Sequence, residues 1–143
     1  MPMLNRCLPA LLSGAVLTTP AYSDDCRLSF QNGATLDLPV ATTEAAQAQG
    51  LAGRPDPGRG MLFLWTTPAV RFVWMKNTPA PLDAAWIGAD GVIQSVQELE
   101  PHTTAKHSSL RPALGIIEVP RGQLANLGIE RGSTITASTC FNL

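Results

Sequence analysis

The chain has 143 residues, 45% of them hydrophobic and 15% charged, with a formal net charge of −1. That length suits one domain and excludes a large multidomain enzyme, and the charge balance argues against the basic face that nucleic-acid binding needs. Twelve glycines and twelve prolines are more than a helical bundle tolerates and predict turns and short strands.

Residues 1–23 read as a secretory signal peptide. Arg6 is the only basic residue before Arg27, Leu8 to Leu17 is a short apolar run, and the small residues Ala21 and Ser23 follow. Cleavage is expected after Ser23, with Ala21 as the alternative. The run is too short for a membrane anchor, which needs about 20 residues. Leu11-Leu12-Ser13-Gly14 resembles a lipobox, but Ala15 stands where the lipidated cysteine belongs. Removing the segment leaves residues 24–143 as a single β-rich domain with nine basic and eleven acidic residues, net −2. A periplasmic or secreted destination follows. Cys7 leaves with the segment, and the remaining pair, Cys26 and Cys140, reads as a disulfide, the alternative being two buried free thiols. Such a bridge closes nearly the whole domain, which the chain-entropy model values at roughly 4–5 kcal/mol.

Arg27 to Phe30 and Leu36 to Leu38 alternate apolar and polar, and Asn32-Gly33 between them predicts a hairpin with a type I′ turn. Thr42 is expected to cap a short helix over Thr43 to Gln49, with Gly50 as its left-handed stop. The stretch from Arg54 to Gly60, with two prolines and two glycines, cannot be regular structure. Met61 to Trp65 is a continuous apolar run, expected as a buried strand, and Val70 to Met75 is a second strand candidate. Lys76 to Pro81 is a rigid loop. Leu82 to Ile87 and Val92 to Leu99 are strands joined by a Gly88–Gly91 hairpin. Glu100 to Arg111 is a polar loop holding both histidines. Ala113 to Val119 is a strand, Gln123 to Leu127 one helical turn, and Ser133 to Thr139 a last strand. The expected fold is mainly β, a compact sandwich or barrel-like domain with one or two short helices.

The densest chemistry lies between Phe72 and Asp83. In an extended chain Phe72, Trp74 and Lys76 share one face, and Val73 and Met75 the other. All three tryptophans, 65, 74 and 86, fall within 22 residues and are expected on neighbouring strands. An aromatic plate beside an ammonium, a carboxamide and a carboxylate is how a pocket holds a small polar ligand. The competing reading is structural: Trp65 and Trp86 fill the core while Asn77 and Asp83 tie the proline-rich loop to backbone amides.

Gly60-Met61-Leu62-Phe63, Trp74-Met75-Lys76-Asn77-Thr78 and Pro81-Leu82-Asp83 together resemble the signature of domain-of-unknown-function family 192. The resemblance spans roughly Leu28 to Ile135. Gly50, Leu51 and Arg54 match its first segment, with Ala52 in place of a Met. Val73 replaces a Phe before Trp74. Glu118, Gly122, Gly128, Ile129 and Gly132 match its C-terminal part, with Ser133 in place of an Asp. The resemblance implies a compact, often exported β-rich domain and brings no established activity.

Enzyme chemistry is weakly signalled, and no cofactor is implied. There is no nucleophile elbow, no phosphate-cradling loop and no paired-cysteine metal spacing. His102 and His107, five apart, share neither a helical nor a strand face, so they read as solvated loop residues rather than metal ligands. Asp83 and Glu118 form an acid/base pair only if the fold brings them together. Arg54, Arg59 and Arg71 form an anion clamp only if they converge, and are otherwise scattered surface charge. The leading reading is a monomeric exported domain that binds a small polar ligand through Arg54, Trp74, Lys76, Asn77 and Asp83. The first rival is a module that binds another envelope protein, with the motif serving the fold alone. The second is a small hydrolase-like enzyme using Asp83 and Lys76.

Overall fold

The computed structural model describes residues 22–143; the leader segment up to Ala21 lies outside the described residues. In chain order the elements are β1 (Ser23–Phe30), β2 (Thr35–Ala41), α1 (Glu44–Gln49), β3 (Met61–Ala69), β4 (Phe72–Val73), β5 (Leu82–Ile87), β6 (Ile93–Leu99), β7 (His107–Ser108), β8 (Ala113–Pro120), α2 (Gln123–Asn126) and β9 (Ile135–Ser138). Seven strands form one curled sheet in the order β6-β5-β8-β3-β2-β1-β9, and β4 pairs with β7 in a separate ribbon. The fold is thus mainly β with two short helices, as expected.

The β2–β3 pair is parallel and every other pair in the large sheet is antiparallel. A parallel pair cannot be joined by a tight turn, and the return path from Ala41 to Met61 carries α1 across one face of the sheet. The two outer strands meet at one end. Val92 bridges Thr134, the Ile93 amide donates to the Ser133 carbonyl at 2.8 Å, and the Ile135 amide donates to the Gly91 carbonyl at 2.9 Å. The sheet is therefore a half-barrel closed at that end, which covers edge groups that would otherwise be left open.

Two apolar layers follow from strand alternation. Leu28, Phe30, Leu38, Leu62, Ala85, Ile117, Val119 and Ile135 form one cluster, drawn from strands across the whole sheet, so it fills the concave side. Met61, Phe63, Leu82, Ala84, Trp86 and Ile116 face the other way, and α1 and the 75–80 segment cover them through Ala46, Met75 and Ala80. β5 has no exposed residue, as a strand sandwiched between both layers must.

Several local expectations are met and others corrected. Cys26 and Cys140 are disulfide-bonded, with Cα atoms 5.4 Å apart, within the range such a bridge needs. The 30–34 hairpin forms, but only Gly33 of the turn has positive φ, so it is not type I′. The Asn32 side chain serves the turn and a distant loop instead: its Oδ1 accepts from the Ala34 amide at 3.0 Å and its Nδ2 donates to the Leu127 carbonyl at 2.9 Å. Thr43 rather than Thr42 caps α1, its Oγ1 accepting from the Ala46 amide at 3.1 Å. The second strand candidate shrinks to Phe72–Val73: at one end the Arg71 amide turns to the Ser109 hydroxyl, although the Arg71 carbonyl still accepts from the Ser109 amide, and at the other the Met75 amide donates to the Thr103 carbonyl. Trp65 and Trp86 lie on β3 and β5, which β8 separates, and Trp74 lies on neither strand.

Candidate functional site

A cavity of about 240 Å³ opens on the outer layer between α1 and the 72–78 segment. Phe63 and Trp65 of β3 form one wall. The end of α1 and its Gly50-Leu51 exit form a second, and Trp74, Met75, Lys76 and Thr78 form the third. Glu118 lies at the base. β8 runs between β3 and β5 with Met61 and Ala84 directly opposite Glu118, so this carboxyl sits in the middle of the sheet among apolar neighbours. It is only 6% exposed.

Among the described residues no donor hydrogen-bonds the Glu118 carboxyl, and the ion pairs there, Arg27–Asp37, Arg59–Asp25 and Arg121–Glu100, do not include it. Burial alone pushes its pKa up to about 7, because the charged form loses water and gains no counter-charge. Thr78, also 6% exposed and lining the cavity, likewise makes no side-chain hydrogen bond among the described residues. The two glutamines of α1 differ: the Gln47 Nε2 donates to the Ala41 and Leu64 carbonyls and the Gln49 Nε2 to the Ala52 carbonyl. They hold the walls, while the side-chain oxygens of Glu118 and Thr78 have no hydrogen-bond partner among the described residues.

Of the residues expected from sequence, Trp74 and Lys76 line this cavity. Trp74 is half exposed, and the Lys76 Nζ lies 5.4 Å from the centre of its ring, so the pair forms a rim with a cation on it. Arg54, Asn77 and Asp83 do not line the cavity. The Arg54 guanidinium stacks over the Tyr22 ring at 5.3 Å. Asn77 adopts φ 59° with its side chain exposed, and its carbonyl accepts from the Gly53 amide at 2.7 Å. Asp83 is buried, and its Oδ2 accepts from the Gly122 amide at 2.7 Å. Asp83 thus holds a backbone amide through its side chain, whereas Asn77 ties its loop to Gly53 through the main chain alone.

Asp83 and Glu118 do not form a pair. Asp83 stands opposite Val119, one residue out of step with Glu118 on β8, so the two carboxylates belong to opposite faces of the sheet. The three arginines do not converge either. Arg59 pairs with Asp25 at 2.8 Å, and Arg71 lies 4.6 Å over the Trp65 ring while its Nη2 donates to the Thr67 carbonyl. His107 is bonded through Nδ1 to the Gln97 side chain at 3.2 Å, and it belongs to β7 rather than to a loop.

Thr78 is a cavity-lining residue that sequence reasoning did not single out, and Glu118, weighed there only as a partner for Asp83, stands in the cavity without it. Glu118 had a signal: it is the one charged residue in the apolar run from Ala113 to Val119, and a charge inside a buried strand is an expensive placement.

The half-barrel and its cavity define a small β-domain with a recessed carboxyl set among apolar neighbours. The chain belongs to domain-of-unknown-function family 192, described as "Uncharacterized ACR", whose model matches residues 28–137. Two crystal structures are similar in fold. One, described as "a putative transcription regulator" from Sinorhizobium meliloti 1021, is 32% identical over 80% of this chain and 93% of that chain, with a TM-score of 0.71. The other, described as a protein of unknown function from Novosphingobium aromaticivorans DSM 12444, is 29% identical over 79% of this chain and 84% of that chain, also at 0.71. No curated protein matches the chain.

Proposed function

We propose that this is an exported domain that binds a small polar ligand in the cavity floored by Glu118. One observation carries the reading: a carboxyl nine-tenths buried, without a hydrogen-bond partner among the described residues, lines a recess. Such a group costs stability unless something satisfies it, and an occupant of the cavity would do so. Trp74 and Lys76 supply an aromatic and cationic rim. The leader pattern and the Cys26–Cys140 bridge support export. The excess of acidic over basic residues supports a ligand other than nucleic acid.

A thermal-shift screen of sugars, carboxylates, phosphates, amines and metal ions on the mature protein tests the reading. A true ligand at 100 times its dissociation constant stabilises by about 2.7 kcal/mol, and the shift is expected to shrink in Glu118→Gln. Hits whose shifts are unchanged in Glu118→Gln and Trp74→Ala would place binding elsewhere and overturn it.

A second reading, docking of an envelope protein, draws on a different observation. Val70, Phe72, Trp74 and Leu110, four of the five large apolar side chains exposed among the described residues, stand on or beside the β4–β7 ribbon. Large apolar side chains left exposed on one ribbon are a feature of interaction sites.

A further inference from the structure

We propose that the cavity is a site for a small organic amine, bound as its ammonium by the Glu118 carboxylate and the Thr78 hydroxyl between aromatic walls. This deepens the ligand-binding reading above and rests on it.

The argument starts from what the cavity lacks. Its floor holds a carboxyl with no ion-pair partner among the described residues. Its walls are Phe63, Trp65 and Met75, and Trp74 stands at the rim. A carboxylate and a hydroxyl oxygen are both acceptors, and an ammonium is a donor of three hydrogen bonds with no acceptor. Aromatic faces attract a cation further. A neutral alcohol offers one donor and leaves the carboxylate's charge uncompensated. An anion is compatible with the floor only while Glu118 keeps its proton. The volume, about 240 Å³, equals roughly eight waters, which suits a molecule of a few heavy atoms below the usual drug-sized range.

Among the described residues no cation pairs with Glu118. β3 presents Met61 and Phe63 and β5 presents Ala84 beside Glu118. α1 contributes Gln47 and Gln49 to the lining, and its Glu44 is exposed at the opposite end of the helix. Asp83 belongs to the other sheet face. From the 72–78 segment Lys76 is the only other titratable side chain lining the cavity among the described residues, and it lies over Trp74. Lys106 lines the shallow groove on the outer side of Phe72 to Trp74, and Arg71 lies over Trp65. The rim cation would meet an anionic outer end of the same ligand.

Binding is linked to protons. The free carboxyl titrates at about 7, and an ammonium needs it ionised. Below that pH, binding releases the Glu118 proton to solvent. An aliphatic amine remains protonated throughout, its pKa lying near that of lysine at about 10.4. The apparent dissociation constant is the intrinsic one divided by the ionised fraction.

The experiment titrates the mature protein with butylamine, 1-butanol and butanoate at pH 5.5 and pH 8, followed by amide and indole NMR shifts. Butylamine is expected to shift the Trp74 and Trp65 signals and to bind roughly thirtyfold more tightly at pH 8 than at pH 5.5. Glu118→Gln, which keeps the side-chain shape and whose folding is checked by its melting curve, should lose both the affinity and the pH dependence. Thr78→Val should weaken butylamine binding and leave the pH dependence in place. Butanoate binding more tightly than butylamine, with affinity rising as pH falls, would overturn the amine assignment and leave the ligand-binding reading standing. So would 1-butanol binding equally well. If none of the probes perturbs cavity signals and the wider screen gives no hit, both readings fall together.

Discussion

The backbone of Gly60 lies directly against the Glu118 carbonyl. A Cβ at Gly60 would collide with that oxygen and stand 2.8 Å from the Val119 Cα, and Gly60 itself has φ +95°. The strand that carries the cavity floor is thus pressed against the entrance to β3, and only a residue without a side chain allows it.

Gly60→Ala should therefore cost about 3 kcal/mol or more in urea unfolding, since backbone on both sides cannot give way and the φ is strained as well. Gly58→Ala is the control. Its φ is +59° with nothing within 4 Å of an added Cβ, so it should cost only about 1 kcal/mol. Equal losses in the two variants would show that the close approach is unimportant.

Glu118→Gln should stabilise the protein in a pH-dependent way. The folded-state pKa of about 7 lies above the ordinary 4.5, so the native state holds the proton more tightly than the unfolded chain. The stability contributed by the neutral carboxyl is present in full below about pH 4.5 and is lost as pH rises through 7. The variant and the wild type should have equal stability at pH 4. At pH 8 the variant should be more stable by roughly 3 kcal/mol. A gap that does not change between these pH values would mean that Glu118 is satisfied in solution.

Asp83→Asn should destabilise without touching the cavity. The bond from the Gly122 amide to the buried Asp83 Oδ2 is 2.7 Å long and part-buried, and its weakening should cost about 1–3 kcal/mol. Ligand affinity, measured well below the variant's melting temperature, should be unchanged. Lost binding at full stability would return Asp83 to the site.

Thiol titration of the unreduced mature protein should find no free thiol. Cys26→Ala with Cys140→Ala should cost about 2–5 kcal/mol, because a bridge across 114 residues restrains the unfolded chain strongly. Two titratable thiols in the wild type would refute the bridge.

Trp74→Ala should leave stability within about 1 kcal/mol, since the ring is half exposed, while weakening butylamine binding severalfold. Unchanged affinity would remove the rim from the site.

Local signals in the sequence specified most strands, both hairpins and the disulfide. They reached the right elements because alternation, Asn-Gly and Gly-rich turns act over a few residues. They misplaced the helix cap by one position because Thr42 and Thr43 offer the same hydroxyl, and only the path of the chain after Ala41 selects Thr43. The site was half readable. Trp74 and Lys76 stand out by type, but joining them to Glu118 requires knowing that β8 inserts between β3 and β5. Asp83 looked like a ligand because a carboxylate near prolines carries the same letters whether it meets solvent, a ligand or the Gly122 amide. Alternation alone could have separated Asp83 from Glu118 once the β5–β8 register was known.

On β8, Ile117 and Val119 enter the concave core while Ile116 and Glu118 enter the cavity layer. Durability and recognition are thus interleaved letter by letter in one strand. Selection, natural or in a library, can retune what the recess admits by changing residues that share Glu118's parity, with the barrel interior untouched. A single inserted residue ahead of Ile116 would do the reverse: it would drive a carboxyl into the barrel and turn its aliphatic filling outward.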